Sequence, residues 1–128
     1  MALYLLDTTV CVDILRGRSG RVLPATTDCC LSTIVTAELW TGLALAPPNP
    51  VRQEMLEDFL SLFTIRAFDD DAARRYGAIR SDLQQRGVLI GPMDLLIAAH
   101  ARSLEATLLT ANAKEFRRVK DLRVVAWR

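Results

Sequence analysis

Apolar residues in this chain fall into short unbroken runs that alternate with stretches of helical period. Leu3 to Leu6 is a wholly apolar run that stops at Asp7, the pattern of a strand buried on both faces of a parallel sheet. Thr8 and Thr9 are placed to cap a helix through Val10–Leu15, which Gly17 stops. Cys29–Ser32 is a second buried run, and Ser32 or Thr33 then caps a helix reaching Leu45, ended by Pro47 and Pro48. Val51–Leu62 has helical spacing, with Met55, Leu56, Phe59 and Leu60 on one side. Phe63–Phe68 reads as a third strand. Asp69, Asp70 and Asp71 suit the positive end of a helix over Ala72–Arg86, which Gly87 terminates. Gly91-Pro92 opens a nearly apolar helix, Met93–Leu104, followed by a fourth strand at Thr107–Thr110. A short helix within Asn112–Val119 and a fifth strand at Leu122–Trp127 complete the pattern.

Strands separated by helices imply right-handed crossovers and a parallel sheet covered on both faces. The expected fold class is therefore α/β. In such sheets the functional crevice lies outside the carboxyl ends of the strands. That rule directs attention to Asp7, which ends the first strand, and to Asn112 and Glu115, which follow the fourth.

With 128 residues, 51% hydrophobic and 24% charged, the chain has the size and balance of one folded domain over 1–128. Its net charge of +1 excludes a wholesale polycation and, with the apolar content, a disordered chain. No apolar run approaches the ~18 residues of a membrane span, and the start, Met1 to Leu6, lacks the basic segment of a signal peptide. Cys11, Cys29 and Cys30 form no paired framework, which suits a reducing, cytoplasmic setting with cysteines as small core residues. One histidine and no CxxC make structural zinc a poor fit.

Acidic residues stand where a core is expected. Asp7 directly follows Leu5 and Leu6; it is either a strand-end cap or an anion at the crevice. Glu38 lies at helical spacing with Ile34, Val35 and Leu45, so it either sits at the edge of that face or is desolvated on it. Asp94 opens the apolar helix, serving its dipole or aiming an anion into the crevice. Glu115, beside Lys114, is either a solvated loop residue or a fourth carboxylate. Thr110 and Asn112 can position carboxylates or a water through neutral hydrogen bonds.

The set matters more than any member. Two like charges ~5 Å apart repel by roughly 3 kcal/mol at an effective dielectric of ~20, and several such pairs would exceed the margin of a small domain. A divalent cation bound by oxygen ligands offsets this, Mg²⁺ by preference with Mn²⁺ as the other choice. Asp7 and Asp94 are then the direct ligands. Glu38 stands behind them, joins them, or orients an attacking water, and Glu115 completes the acidic set or binds a second metal. Phosphodiester hydrolysis is the chemistry that such a centre serves best.

Four segments in order, Leu5-Leu-Asp-Thr-Thr9, Ser32-Thr-Ile-Val-Thr-Ala-Glu38, Ile90-Gly-Pro-Met-Asp-Leu-Leu-Ile-Ala-Ala-His-Ala101 and Leu109-Thr-Ala-Asn-Ala-Lys-Glu-Phe116, together resemble a PIN domain, and more narrowly the VapC-type toxins of type II toxin–antitoxin modules. The resemblance spans the whole chain. It implies a three-layer α/β/α sandwich with a central parallel sheet of four to five strands. It also implies Mg²⁺-dependent endoribonuclease activity, a cognate VapB-like antitoxin, and a homodimer that forms a heterotetramer or larger assembly with it. By position Asp7, Glu38 and Asp94 match the family's three acidic residues. Thr9 stands where the family commonly has Asn, and Asn112 where many members have Asp, so the fourth acidic position falls to Asn112 or Glu115.

Lys114, Arg117 and Arg118 could contact RNA phosphates, as could Arg16, Arg18 and Arg21, which could instead grip an acidic antitoxin segment. His100 reads as a packed or dimer-facing residue, Trp40 as core or antitoxin groove, and Trp127 as a sheet-edge residue. The competing readings are a nuclease of the same fold working in RNA processing or on DNA without an antitoxin, a receiver-like binding module, and a catalytically silent scaffold.

Overall fold

In a computed structural model that describes residues 2–18, 20 and 22–128, strands and helices alternate as the apolar pattern predicts. The strands β1 (Tyr4–Leu6), β2 (Cys29–Ser32), β3 (Thr64–Arg66), β4 (Thr107–Thr110) and β5 (Val124–Ala126) form one sheet in the order β3-β2-β1-β4-β5. Every neighbouring pair is parallel; Tyr4 faces Cys29 on one side and Thr107 on the other. The helices are α1 (Thr8–Leu15), α2 (Thr33–Leu45), α3 (Pro50–Ser61), α4 (Asp70–Gln85), α5 (Pro92–Ser103) and the single turn α6 (Ala113–Phe116).

The central strands carry the fully buried runs. Leu5, Leu6, Cys30, Leu31, Leu108 and Leu109 are sealed from solvent and join Val10, Val35, Leu83, Ile97 and Phe116 in one apolar cluster. The edge strand β3 is exposed along its length and β5 is half-buried, and both are shorter than the expected 63–68 and 122–127. From β1 the chain steps outward through β2 to β3, then returns past β1 to β4 and β5. Right-handed crossovers therefore put α1, α2 and α3 on one face and α4, α5 and α6 on the other, the three-layer sandwich. The strand order reverses between β1 and β4, so the crevice opens at their carboxyl ends.

Local chemistry moves several boundaries. Asp7, not Thr8 or Thr9, caps α1, because its carboxylate accepts from the Thr8 amide at 2.8 Å, and α1 starts two residues earlier than expected. At the other end Arg16 closes the helix and Gly17 adopts φ +70°, the left-handed conformation that glycine favours. Asn49 and Asp69 cap α3 and α4 in the same manner as Asp7, drawing Pro50 and Asp70 into the first turns. A 3₁₀ turn at Thr26–Asp28 precedes β2, and α6 ends at Phe116, short of Val119.

Side chains on two helices depart from the expected faces. Leu45 is 82% exposed in the last turn of α2, whose buried side is Val35, Thr36 and Leu39. Met55 stands out of the buried stripe of α3, which is Leu56, Phe59 and Leu60. Trp40 is exposed and not core, whereas Trp127, just past β5, is buried. All three cysteines are buried and unpaired. Among the described residues no helix is long and apolar enough to cross a membrane.

Candidate active site

Asp7 is the hub. It leaves β1 with its amide bonded to the Leu109 carbonyl of β4 at 2.9 Å, which fixes its backbone across the switch point. Its Oδ1 accepts from the Thr8 amide, while Oδ2 accepts from Thr9 Oγ1 at 2.8 Å and Thr110 Oγ1 at 2.7 Å. Thr9 Oγ1 in turn accepts from the Ala111 amide, and Thr110 Oγ1 from the Asn112 amide. Each hydroxyl thus has its proton committed to the carboxylate, because its lone pairs already face an amide. Only 2% of Asp7 is exposed, and the three donors satisfy it with no arginine or lysine partner among the described residues.

Glu38 is delivered by α2, which Ser32 caps: Ser32 Oγ accepts from the Ile34 amide at 3.0 Å and lies 2.7 Å from His100 Nδ1. His100 is buried, packs edge-on against Phe68, and is held below its ordinary pKa chiefly by burial, with nearby Arg66 acting the same way against Asp69. It is a packing residue of α5. Glu38 is half-buried, and its Oε1 accepts from Thr8 Oγ1 at 2.7 Å. Asp94 comes from the first turn of α5, where Gly91 occupies the cap position.

Asp7, Glu38, Asp94 and Asn112 line one cavity of about 380 Å³, together with Thr8, Thr9, Val12 and Asp13. Glu115 is exposed on α6 and is not part of that lining. Thr110 supports the cavity from beneath, fully buried. The carboxylates still sense one another. The Asp94 carboxyl is pushed up to about 6, first by burial and then by the negative charge of Asp7, Glu115 and Glu38. Asn112 therefore borders the cavity itself, and Glu115 acts on it through its field.

The donor set suits a hard divalent cation: carboxylate oxygens, no thiolate or imidazole in the lining, and excess negative charge at Asp94. Among the described residues no three of His, Cys, Asp and Glu close up into a ready-made ligand cage. Asp7 and Asp94, with Glu38 behind them, could hold such an ion with waters completing its shell.

The basic residues divide. Arg16 caps α1 and borders an apolar groove between α1, α2 and α3, which Glu38 also touches. Lys114, Arg117 and Arg118 are exposed around α6, and an Arg118 Nη1 donates to the Leu89 carbonyl. Arg18 reaches the acidic cavity, and so does Arg128; Arg21 lies outside the described residues. Three participants escape the sequence reading. Thr8 is Glu38's hydrogen-bond partner from 30 residues away, a contact visible only in the fold. Asp13 is 2% exposed within α1 and accepts from Trp127 Nε1 and Arg128 Nε. It did leave a signal: it is the one charged residue in Val10–Leu15 and sits four residues after Thr9, hence on the same helix face. Arg128 left none.

A parallel sheet in this order, with its acidic cavity at the switch point, defines a PIN-type fold, and the PIN domain family matches residues 4–122. The chain belongs to the PIN-domain family, in its VapC-type branch. It is 36% identical to ribonuclease VapC2 of Rickettsia felis, with 98% of each chain covered. It is 31% identical to the tRNA(fMet)-specific endonuclease VapC of Salmonella typhimurium, with 99% of each covered. Among solved structures, DNA-bound VapBC from Salmonella typhimurium superposes with a TM-score of 0.90 at 28% identity over the full length of both chains.

Proposed function

We propose that this protein is a divalent-metal-dependent endoribonuclease and the toxin of a VapBC-type toxin–antitoxin module. The observation that carries the reading is the convergence of Asp7, Glu38 and Asp94, from three separate segments, on one cavity where burial first, and neighbouring negative charge second, raise Asp94's proton affinity. The names ribonuclease and endonuclease borne by near full-length relatives supply the reaction class.

Each residue has a task in this reading. Asp7 and Asp94 would hold Mg²⁺, or Mn²⁺ in its place, and the chemistry so supplied would be a water of lowered pKa and a polarised phosphoryl oxygen. Thr9 and Thr110 keep Asp7 in one rotamer, so the carboxylate is aligned before substrate arrives. Glu38, fixed by Thr8, orients the attacking water and takes its proton as the water oxygen bonds to phosphorus; the P–O bond to the leaving oxygen breaks and that oxygen is protonated by a solvent water. Asn112 offers a neutral donor and acceptor at the cavity rim. RNA is the substrate, reached past the exposed Lys114, Arg117 and Arg118. A VapB-like antitoxin is the partner, in a heterotetramer or larger assembly built on a toxin homodimer, and the module operates in the cytoplasm.

The test is cleavage of total cellular RNA by purified protein with Mg²⁺, Mn²⁺ or EDTA, with growth arrest on expression and its relief by a co-expressed antitoxin. Asp7→Ala and Asp94→Ala should each abolish cleavage and toxicity while remaining folded by circular dichroism. Full toxicity of either variant, or undiminished cleavage in EDTA, would overturn the assignment.

A further inference from the structure

The acidic cavity has a basic wall that the proposed reaction does not yet use. Asp13 is almost fully buried in α1, and two hydrogen-bond donors from the segment after β5 and one cation from five residues downstream meet on it. Arg128 Nε donates to Oδ2 at 2.9 Å, Trp127 Nε1 donates to the same oxygen at 3.2 Å, and Arg18 Nη1 lies 3.6 Å from Oδ1. Trp127 is itself buried, its amide donates to the Thr110 carbonyl at 2.8 Å, and a Cβ on Gly20 would overlap its indole. Arg18 and Gly20 are thereby drawn together with the segment after β5. Both guanidinium groups remain more than half exposed, and both line the same cavity as Asp7, Glu38, Asp94 and Asn112.

A carboxylate whose only task was neutralising two arginines would not need to be buried. Burial fixes its geometry, and Arg128, bonded through Nε, keeps its terminal nitrogens free to meet a second anion. A phosphodiester entering an acidic cavity is repelled by it. Cations on the wall offset that repulsion and supply charge-assisted hydrogen bonds to non-bridging oxygens. We infer that Arg128 and Arg18 form a clamp for the phosphodiester backbone of single-stranded RNA at the mouth of the acidic cavity, and that Asp13 is the positioning residue that aims them. This inference rests on the nuclease reading above.

The test uses Arg128→Gln, Arg18→Gln, Arg128→Lys and Asp13→Asn, with binding of a labelled single-stranded RNA read by anisotropy across a salt series in an Asp94→Asn background. Arg128→Gln should bind about tenfold more weakly, the loss of one charge-assisted contact. Its slope of log affinity against log salt should shrink by about 0.7, the value for one phosphate contact on a single strand. Arg18→Gln should act in the same direction, and Arg128→Lys should keep the salt slope. In the otherwise unaltered enzyme, Arg128→Gln should raise KM about tenfold with kcat within about twofold, the pattern of uniform binding lost. Asp13→Asn should raise KM in the same way; should it fail to fold, the two exposed arginines still decide the matter. Unchanged affinity, salt slope and KM in Arg128→Gln and Arg18→Gln, with cleavage by the unaltered protein intact, would overturn the clamp alone. An unaltered protein that neither binds nor cleaves RNA would bring down the nuclease reading and the clamp with it.

Discussion

Thr110 and Asp7 stand at the carboxyl ends of adjacent parallel strands, 103 residues apart in sequence, and the Thr110 hydroxyl donates to Asp7 Oδ2 at 2.7 Å. Because Thr110 Oγ1 also accepts from the Asn112 amide, one buried atom ties the Asp7 carboxylate to the turn that carries Asn112. Thr110→Val keeps the shape and deletes both bonds. It should cost about 1–3 kcal/mol, since the Asn112 amide and a buried carboxylate each lose a partner. RNA cleavage should fall at least about tenfold, as a misaligned carboxylate weakens the centre. Thr110→Ser, which restores the hydroxyl, should recover cleavage but not all of the stability, because the lost methyl leaves a small void. Thermal melts and initial rates on the same preparations separate the two effects.

How much of this was legible in the sequence depends on the range of the interaction. The buried runs Leu3–Leu6, Cys29–Ser32 and Thr107–Thr110 announced the central strands because burial on both faces demands uninterrupted apolar residues. Edge strands carry no such demand, which is why β3 and β5 are shorter than expected. The acids Asp7, Glu38 and Asp94 stood out as charges inside apolar segments, and the fold gathers them. Glu115 had the right charge but sits in an exposed turn, and Asn112 occupies the rim instead. The partners of these acids, Thr8 on Glu38 and Arg128 on Asp13, join segments about 30 and over 100 residues apart. No local pattern encodes such pairs; they exist only once the strand order is fixed.

Thr8 offers a second check. Its hydroxyl is Glu38's donor, and Glu38 is otherwise a half-buried carboxylate on α2. Thr8→Val should leave the melting temperature nearly unchanged, because Glu38 can recover hydrogen bonds from water. It should lower kcat several-fold with KM preserved if Glu38 has the proposed role, because that carboxylate loses its alignment. An equal fall in kcat for Thr8→Ser, which retains the donor, would detach Thr8 from that role.

The cysteines should be chemically silent in the native state. Burial pushes the thiol of Cys29 up to about 11 and raises those of Cys11 and Cys30 as well. Neutral buried thiols are poor nucleophiles. A thiol reagent such as DTNB should react with none of the three at neutral pH until denaturant is added, and then with all. Rapid reaction of any one without denaturant would mean that the segment bearing it opens locally.

The pH dependence of stability contains two opposed contributions, and comparing variants separates them. His100 lies below its ordinary value of 6.5 in the fold, so the unfolded chain binds protons that the folded one refuses; this contribution is lost as pH falls through and below 6.5. Asp94 has the opposite sign. Its folded carboxyl titrates near 6 against an ordinary 3.8, so between those values the folded state holds the extra proton. Lowering the pH from 7 therefore relieves a strain that is fully present above 6. In EDTA at pH 7.5, Asp94→Asn should melt higher than the unaltered protein. Discounted for a half-exposed group, the gain is about 1 kcal/mol, or roughly 3–5 °C. The gap should narrow through pH 6 and vanish near pH 4, because His100 is common to both chains and cancels in the difference. Adding Mg²⁺ at pH 7.5 should raise the melting point of the unaltered protein and leave Asp94→Asn unmoved, since only a ligand bound to the folded state shifts it. A variant that melts lower than the unaltered protein in EDTA would show that Asp94 supports α5 more than its neighbours' charge opposes it.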